Sequence, residues 1–380
     1  MSIRILFAGD TFLEEGKVEM DDALKAVLQG YDMKCYNLEA PIVGCDAQPV
    51  KKIGPVLRQG DKTICSMKEN GFNLIALANN HIMDYGVDGL DNTIKEIEKN
   101  GLECFGASTV YDTVYRDMLI EKDGIKVGII NCGENGFGCA DENGKAGYAW
   151  MLSKEIFLRV AKLKQEGVNV LLAFTHCGLE GINIPLPEWR EIFFQFIDAG
   201  VDVVINAHPH VPQGWENYKK GRIYYSIGNF IWNKKGQNNH LWSYLVGLEI
   251  ASDESVIYRE HVIESNGERV RLADDNLILK SKLSEFCELI CKEQKYHVSV
   301  KKIVDECWEK IYMDYAGYAE KILPNDSVKN YFVNIYRAIR KKQSPNLLFL
   351  YHNLVIETHL FVMKRYLIHK INPKGAENDL

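Results

Sequence analysis

His208 and His210 stand two residues apart, just beyond the apolar run Val201–Ile205. In an extended segment, side chains two apart share a face, so both imidazoles would offer ring nitrogens to one point, as a metal site requires. A bare His-x-His pair is weak evidence, because most histidines are packed or surface groups. Its company strengthens it. Asp10, Glu39, Asn80, His81 and His176 each follow an apolar run and stand beside glycine, asparagine or proline. Taken singly, each has an ordinary alternative; Asp10, for instance, suits a helix N-cap or an Asx turn. With the end that carries His208 and His210, five such strand ends in one chain point to a shared centre.

The residue types suggest divisions of labour. Asn80 offers a weak, neutral oxygen, which suits a hard divalent cation already supplied with charge by Asp10 and Glu39. His81 and Asp84 read as an imidazole–carboxylate pair in which the carboxylate fixes the tautomer and stabilises a cationic ring, the arrangement of a proton donor. Lys51 and Lys52 lie in a Gly- and Pro-containing stretch, 42–59, that reads as cover for an anionic ligand or as a solvated basic loop. The glycine-rich stretch Gly133–Gly147 lacks the lysine-serine ending of a phosphate-cradling loop and reads as access or lid structure. Cys177 is a weaker ligand candidate beside His176.

These groups must be positioned by short apolar strands. Residues 4–8, 33–38, 72–78, 102–107, 168–174 and 201–205 read as strands, and 87–100, 153–166 and 188–199 as helices. Strand then helix, repeated with ligand candidates at the carboxyl ends, is how open α/β sheets build sites. Segments 117–122 and 126–132 flank Asp123-Gly124, a favoured hairpin turn. Two short strands are expected about Gly228-Asn229, with further pairing between 241–250 and 256–263. Residues 1–265 therefore read as one layered α/β domain.

From residue 277 the pattern is helical, over 277–293, 299–314, 327–342 and 346–370, giving a C-terminal helical appendage at 277–380 with no recognisable chemistry. Leu347–Met363 is apolar, but His352, Asn353, Glu357 and His359 fall inside it, which fits a packed or interfacial helix better than a membrane span. The basic residues Lys341, Lys342, Lys364, Arg365 and Lys370 fit a solvated face, peripheral membrane contact or a partner protein.

The chain has 380 residues, 46% hydrophobic and 26% charged, an ordinary soluble composition for one large domain and an appendage. Its net charge of -7 gives no global attraction to nucleic acid, which is not an expected partner. Met1-Ser2-Ile3-Arg4 leads straight into an apolar strand rather than a signal peptide, and the ten cysteines form no Cys-x-x-Cys pair. Reduced thiols and a cytoplasmic location are expected. Cys287 and Cys291, four apart on an expected helix, read as small packed side chains before a metal or redox pair.

The ordered set Gly9-Asp10, Asn37-Leu38-Glu39-Ala40-Pro41, Ala78-Asn79-Asn80-His81 with Asp84-Tyr85-Gly86, His176-Cys177-Gly178-Leu179-Glu180, His208-Pro209-His210-Val211-Pro212-Gln213 and Ser226-Ile227-Gly228-Asn229-Phe230 resembles the CapA family. Those bacterial proteins of capsule and poly-gamma-glutamate synthesis look like a branch of the calcineurin-like metallophosphoesterases. The resemblance covers about residues 3–250 and leaves the helical tail outside. It implies an α/β, four-layer metallophosphoesterase-like β-sandwich flanked by helices, with two divalent metal ions of the Mn, Fe, Zn or Co type. It further implies Asp10, Glu39, Asn80, His176, His208 and His210 as ligands and His81 as the acid for the leaving group. The wider superfamily opens with Asp-x-His, whereas Thr11 and Phe12 follow Asp10 here, and it carries aspartate where Glu39 stands. The implied activity is hydrolysis of a small-molecule or polymer-linked phosphoester, or of an amide, in surface-polymer synthesis. The other reading is a non-catalytic assembly factor whose tail docks synthesis proteins.

Overall fold

The computed structural model describes residues 2–14, 16–44, 47–140, 144–235, 240–309 and 347–371. It forms two compact units, Met1–Cys291 and Lys292–Leu380. The strand Arg269–Leu272 and the helix Leu277–Cys291 belong to the first unit, beyond the boundary expected at residue 265.

Two large sheets and a two-stranded ribbon, Ala107–Ser108 with Gly147–Tyr148, hold the strands of the first unit. One joins, in spatial order, Glu19–Met20, Arg269–Leu272, Val256–Ser265, Leu241–Ala251, Ser2–Leu13, Met33–Leu38, Leu74–Ala76 and Glu103–Phe105, and Asn229–Asn233 pairs beside Ser2–Leu13. The other joins Trp215–Tyr218, Gly221–Tyr224, Val203–Ala207, Val170–His176, Ile125–Gly133 and Met118–Lys122.

Side-chain alternation along the strands builds the layers. Ile3, Ile5 and Phe7 point one way with Cys35, Leu74 and Ala76, and share a core with Val127, Ile129, Leu172, Phe174, Val203 and Ile205 of the other sheet. The sheets therefore face each other. Leu6, Ala8, Tyr36, Leu38 and Ile75 point the opposite way, onto Leu24, Leu28, Ile64, Met67, Leu90 and Ile97 of the helices Asp22–Gln29, Thr63–Glu69 and Gly86–Lys99. Helices Lys154–Gln165 and Pro187–Ala199 lie against Val170–His176 and Val203–Ala207. Helix, sheet, sheet, helix is the four-layer order implied by the resemblance.

Between the sheets, Asn131 ties strand ends together. Its Oδ1 accepts from Leu77 N at 3.0 Å and Ala78 N at 2.8 Å, and its Nδ2 donates to Phe174 O at 2.8 Å. Gly106 leaves room for this amide, since a Cβ there would lie 1.9 Å from Asn131 Oδ1.

Most expected elements form, including the hairpin at Asp123-Gly124, where both residues have positive φ. Two differ. The first strand does not end at Ala8 but runs to Leu13, because Asn229–Asn233 gives its far half a parallel partner. Gly228-Asn229 is not a turn within one strand pair: Gly221–Tyr224 lies in one sheet and Asn229–Asn233 in the other.

In the second unit, helices span Glu293–Cys307, Leu347–Val355 and Glu357–Ile371, while the helix expected over 327–342 lies outside the described residues. No helix among the described residues is long and apolar enough to cross a membrane.

Candidate metal centre

The inward-facing rows of both sheets end in polar groups at their carboxyl ends. Val170, Leu172 and Phe174 lead to His176, and Cys35 leads to Asn37 and then Glu39. Asp10 joins them through a bulge: Ala8 pairs with Tyr36 but Asp10 with Asn37, so the register slips there by one residue. Gly9 makes the slip feasible, because a Cβ at that position would lie 1.7 Å from Gly228 O.

Asp10, Glu39, His81, His176 and His208 are all buried, while Asn80 and His210 are partly so. His176 Nε2 lies 3.0 Å from Asn80 Oδ1, 3.0 Å from His208 Nδ1 and 3.6 Å from Glu39 Oε1. His210 presents Nδ1 at 3.1 Å from Asp10 Oδ2 and Nε2 at 3.9 Å from Glu39 Oε1. Two ligand-type triads result, Glu39–His208–His210 and Asp10–Glu39–His176, each with its donor atoms within 4.8 Å of one another. All six residues expected as ligands therefore converge.

His208 and His210 meet by a different route from the one expected. The strand stops at Ala207, and His208 and His210 have φ of 92° and 61°, left-handed values uncommon for residues with a side chain. The loop is held by His208 N donating to Asp10 Oδ2 at 3.0 Å and Gly181 N to Pro209 O at 2.9 Å. Alternation on an extended strand does not bring the rings together; a strained turn does.

The electrostatics suit cation binding. Glu39 Oε1 is buried with no hydrogen-bond partner, and burial together with Asp10 pushes the Glu39 pKa well above the usual carboxylate range. Burial alone would also raise Asp10, but the His210 hydrogen bond and nearby imidazoles hold it well below that range. Burial and His208 push His176 far down, and burial takes His208 down to about 4, so both rings are neutral, the form that coordinates metal. His210 goes the other way, up to about 10: burial opposes its charge, yet the Asp10 hydrogen bond and the surrounding carboxylates outweigh it.

Beside the cluster, His81 Nδ1 lies 2.7 Å from Asp84 Oδ2, which also accepts from Leu57 N at 2.7 Å. Lys52 is not solvated but buried against this pair. Its side chain is 4% exposed, and its Nζ contacts Asp84 Oδ1 and lies 3.2 Å from His81 Nδ1. Burial lowers the His81 pKa more than the Asp84 hydrogen bond raises it, and the Lys52 cation lowers it further. The ring is therefore neutral at pH 7.

Four further residues belong to the cluster. Asn37 Nδ2 donates to Asp10 Oδ1 at 2.8 Å and to Glu39 Oε2 at 2.5 Å, and Asn79 Nδ2 donates to Asn37 Oδ1 at 3.0 Å. Glu134 Oε1 accepts from Gly178 N at 3.0 Å and stands 3.5 Å from His208 Nε2. Asn229 Oδ1 stands 2.8 Å from His210 Nδ1. Asn37 shares its strand face with Glu39, a signal present in the sequence; Glu134 was hidden in the glycine-rich stretch read as a lid. Cys177 is turned away, its Sγ on Asn206 Oδ1 at 3.3 Å.

Residues 4–234 match the family model described as bacterial capsule synthesis protein PGA_cap. The capsule biosynthesis protein CapA of Bacillus anthracis is 28% identical over 213 residues, 54% of this chain and 52% of that protein. The PGA biosynthesis protein CapA of Bacillus subtilis (strain 168) is 28% identical over 180 residues, 47% of each chain. The chain thus spans about half the length of these curated relatives. Among solved structures, the 5'-nucleotidase precursor of Thermus thermophilus aligns at a TM-score of 0.42 and 12% identity, over 77% of this chain and 59% of that one. That likeness decides nothing about chemistry.

Proposed function

We propose, on the premise that the chain belongs to the bacterial capsule synthesis protein PGA_cap family, that it is a metal-dependent hydrolase, a phosphoesterase, acting in the synthesis of a capsule or other surface polymer, poly-gamma-glutamate or polysaccharide. One observation carries the reading: Glu39 Oε1 is a buried carboxylate oxygen without a hydrogen-bond partner, 3.6 Å from His176 Nε2 and 3.9 Å from His210 Nε2. A buried ionisable oxygen left in that state is costly unless a cation completes it.

Asp10, Glu39 and His176, with Asn80 beside His176, would hold one divalent cation, and Glu39, His208 and His210 the other. Bound there, such ions supply a hydroxide near neutral pH and neutralise charge developing on a phosphoryl or carbonyl oxygen. The mixed carboxylate, carboxamide and imidazole set suits Mn, Fe, Zn or Co. Asn37 holds the two carboxylates through one amide nitrogen. Asp84 occupies His81 Nδ1, which leaves Nε2 to exchange a proton with the leaving group. The ring is neutral at pH 7, so it would take a proton from solvent onto Nε2 as an anionic group arrives beside it, and pass that proton to the departing oxygen.

Phe12 favours a second reading, a non-catalytic assembly factor acting with surface-polymer synthesis proteins through residues 277–380. It is 2% exposed, packs on Trp232 with ring centroids 4.9 Å apart, and stands where the wider superfamily places a histidine ligand. The test is metal content by mass spectrometry after purification with Mn, paired with hydrolysis of 4-nitrophenyl phosphate. Two equivalents and turnover, both reduced in His208→Ala, are expected. Metal without turnover under Mn, Fe, Zn and Co, together with a partner captured through the tail, supports assembly; a protein that takes up no metal sinks both forms of the centre.

A further inference from the structure

Asn229 opens the strand Asn229–Asn233 and is the register partner of Asp10 across the parallel pair. It is 5% exposed, and its backbone is fixed by Ser243 Oγ donating to Asn229 O at 2.6 Å. Its Oδ1 is 2.8 Å from His210 Nδ1. A carboxamide oxygen only accepts hydrogen bonds, so that ring nitrogen carries the proton. On the other edge of the ring, Nε2 faces Glu39 Oε1, the oxygen that lacks a partner.

We propose that Asn229 is the positioning residue of the centre: it holds the Nδ1–H of His210 and so commits Nε2, on the Glu39 side, to the cation. This rests on the metal-centre reading. A neutral imidazole has one lone pair, and which nitrogen keeps it is set by the hydrogen bond the other makes. Asp10 Oδ2 also lies near Nδ1, at 3.1 Å, but Asp10 is itself a ligand candidate. A carboxylate sharing its charge with a cation is a poorer acceptor; the neutral amide of Asn229 keeps its strength in both states.

The backbone makes such a partner necessary. His210 lies beyond the strand that ends at Ala207, at φ 61°, so no ladder of hydrogen bonds fixes where its ring points. The strand carrying Asn229 supplies two fixed contacts instead. Asn229 meets the ring edge, and Trp232 packs against it with centroids 4.9 Å apart at 62°.

The test uses the full chain loaded with Zn, which is diamagnetic, and compares wild type with Asn229→Leu and Asn229→Asp. Asn229→Leu keeps the volume and removes the acceptor; Asn229→Asp restores one. Zn affinity is expected to fall about 10- to 100-fold in Asn229→Leu and to return in Asn229→Asp. Histidine-selective nitrogen NMR, with the His210 signal assigned by its loss in His210→Gln, is expected to show Nδ1 protonated and Nε2 metal-bound in the wild type. Unchanged Zn affinity in Asn229→Leu overturns the proposal, as does a His210 ring bound through Nδ1. Thermal unfolding of the metal-free variants separates a folding defect from a positioning one: lost affinity at an unchanged melting temperature supports positioning, and lost affinity with lost folding in both variants overturns it. Failure of the metal-centre reading itself looks different, since wild-type protein would then bind no Zn at all.

Discussion

Asp10 stands opposite Asn37 although Ala8 stands opposite Tyr36, so one strand advances two residues while its neighbour advances one. Without that slip, Asp10 would follow Leu6 and Ala8 towards the helices. The slip depends on Gly9, where a side chain would collide with Gly228 O. Gly9→Ala is therefore expected to destabilise the protein by roughly 1–3 kcal/mol, the range for overpacking a tight interior, and to lower metal content. Urea denaturation and metal analysis check both; a stable variant with full metal content removes the bulge from the account.

Glu39→Gln should separate stability from metal binding. In chelated wild-type protein, burial and then Asp10 raise the Glu39 pKa above its unfolded value of about 4.3. The unfolded chain thus gives up this proton first, and the fold loses stability as pH rises above that value. Below it the carboxyl is neutral in both states and the loss vanishes. Chelated Glu39→Gln is expected to be more stable than chelated wild type at pH 7.5 and equal to it near pH 4, while losing metal from both triads. Equal denaturation midpoints at both pH values remove the inferred penalty.

Lys52 and Asp84 form a buried ion pair, with side chains 4% and 1% exposed. Removing one partner strands the other charge. Asp84→Asn is expected to cost roughly 3–5 kcal/mol, whereas Lys52→Met with Asp84→Leu should cost less than the two single changes summed. A double-mutant cycle in urea measures the difference, and strict additivity would show the pair to be uncoupled.

The first compact unit ends at Cys291. A chain of residues 1–291 is expected to unfold in one cooperative transition and to bind the same number of metal equivalents as the full chain. Loss of cooperative unfolding, read by circular dichroism, would assign the remaining residues a part in folding.

Much of the architecture was legible because burial imposes a period. Residues such as Ile5, Phe7, Leu172 and Phe174 mark the inter-sheet rows, and the polar residues that end those rows mark the site. What stayed hidden depends on partners remote in sequence. The bulge at Asp10 is set by Gly228, more than two hundred residues away, and the left-handed turn at His208 and His210 by a carboxylate at the other end of the chain. Asn229, Asn79 and Glu134 carry no spacing signal of their own, since a neutral amide or a lone glutamate in a glycine-rich stretch has many ordinary uses.

Asn131 joins Leu77 and Ala78 of one half to Phe174 of the other, two residues short of His176 and two short of Asn80. A single amide thereby gauges the gap between donors that come from opposite halves of the molecule. That spacing is set by hydrogen bonds of the chain itself, with no ion needed to impose it. If the donors hold cations as proposed, so fixed a frame would favour those whose bond lengths match its own.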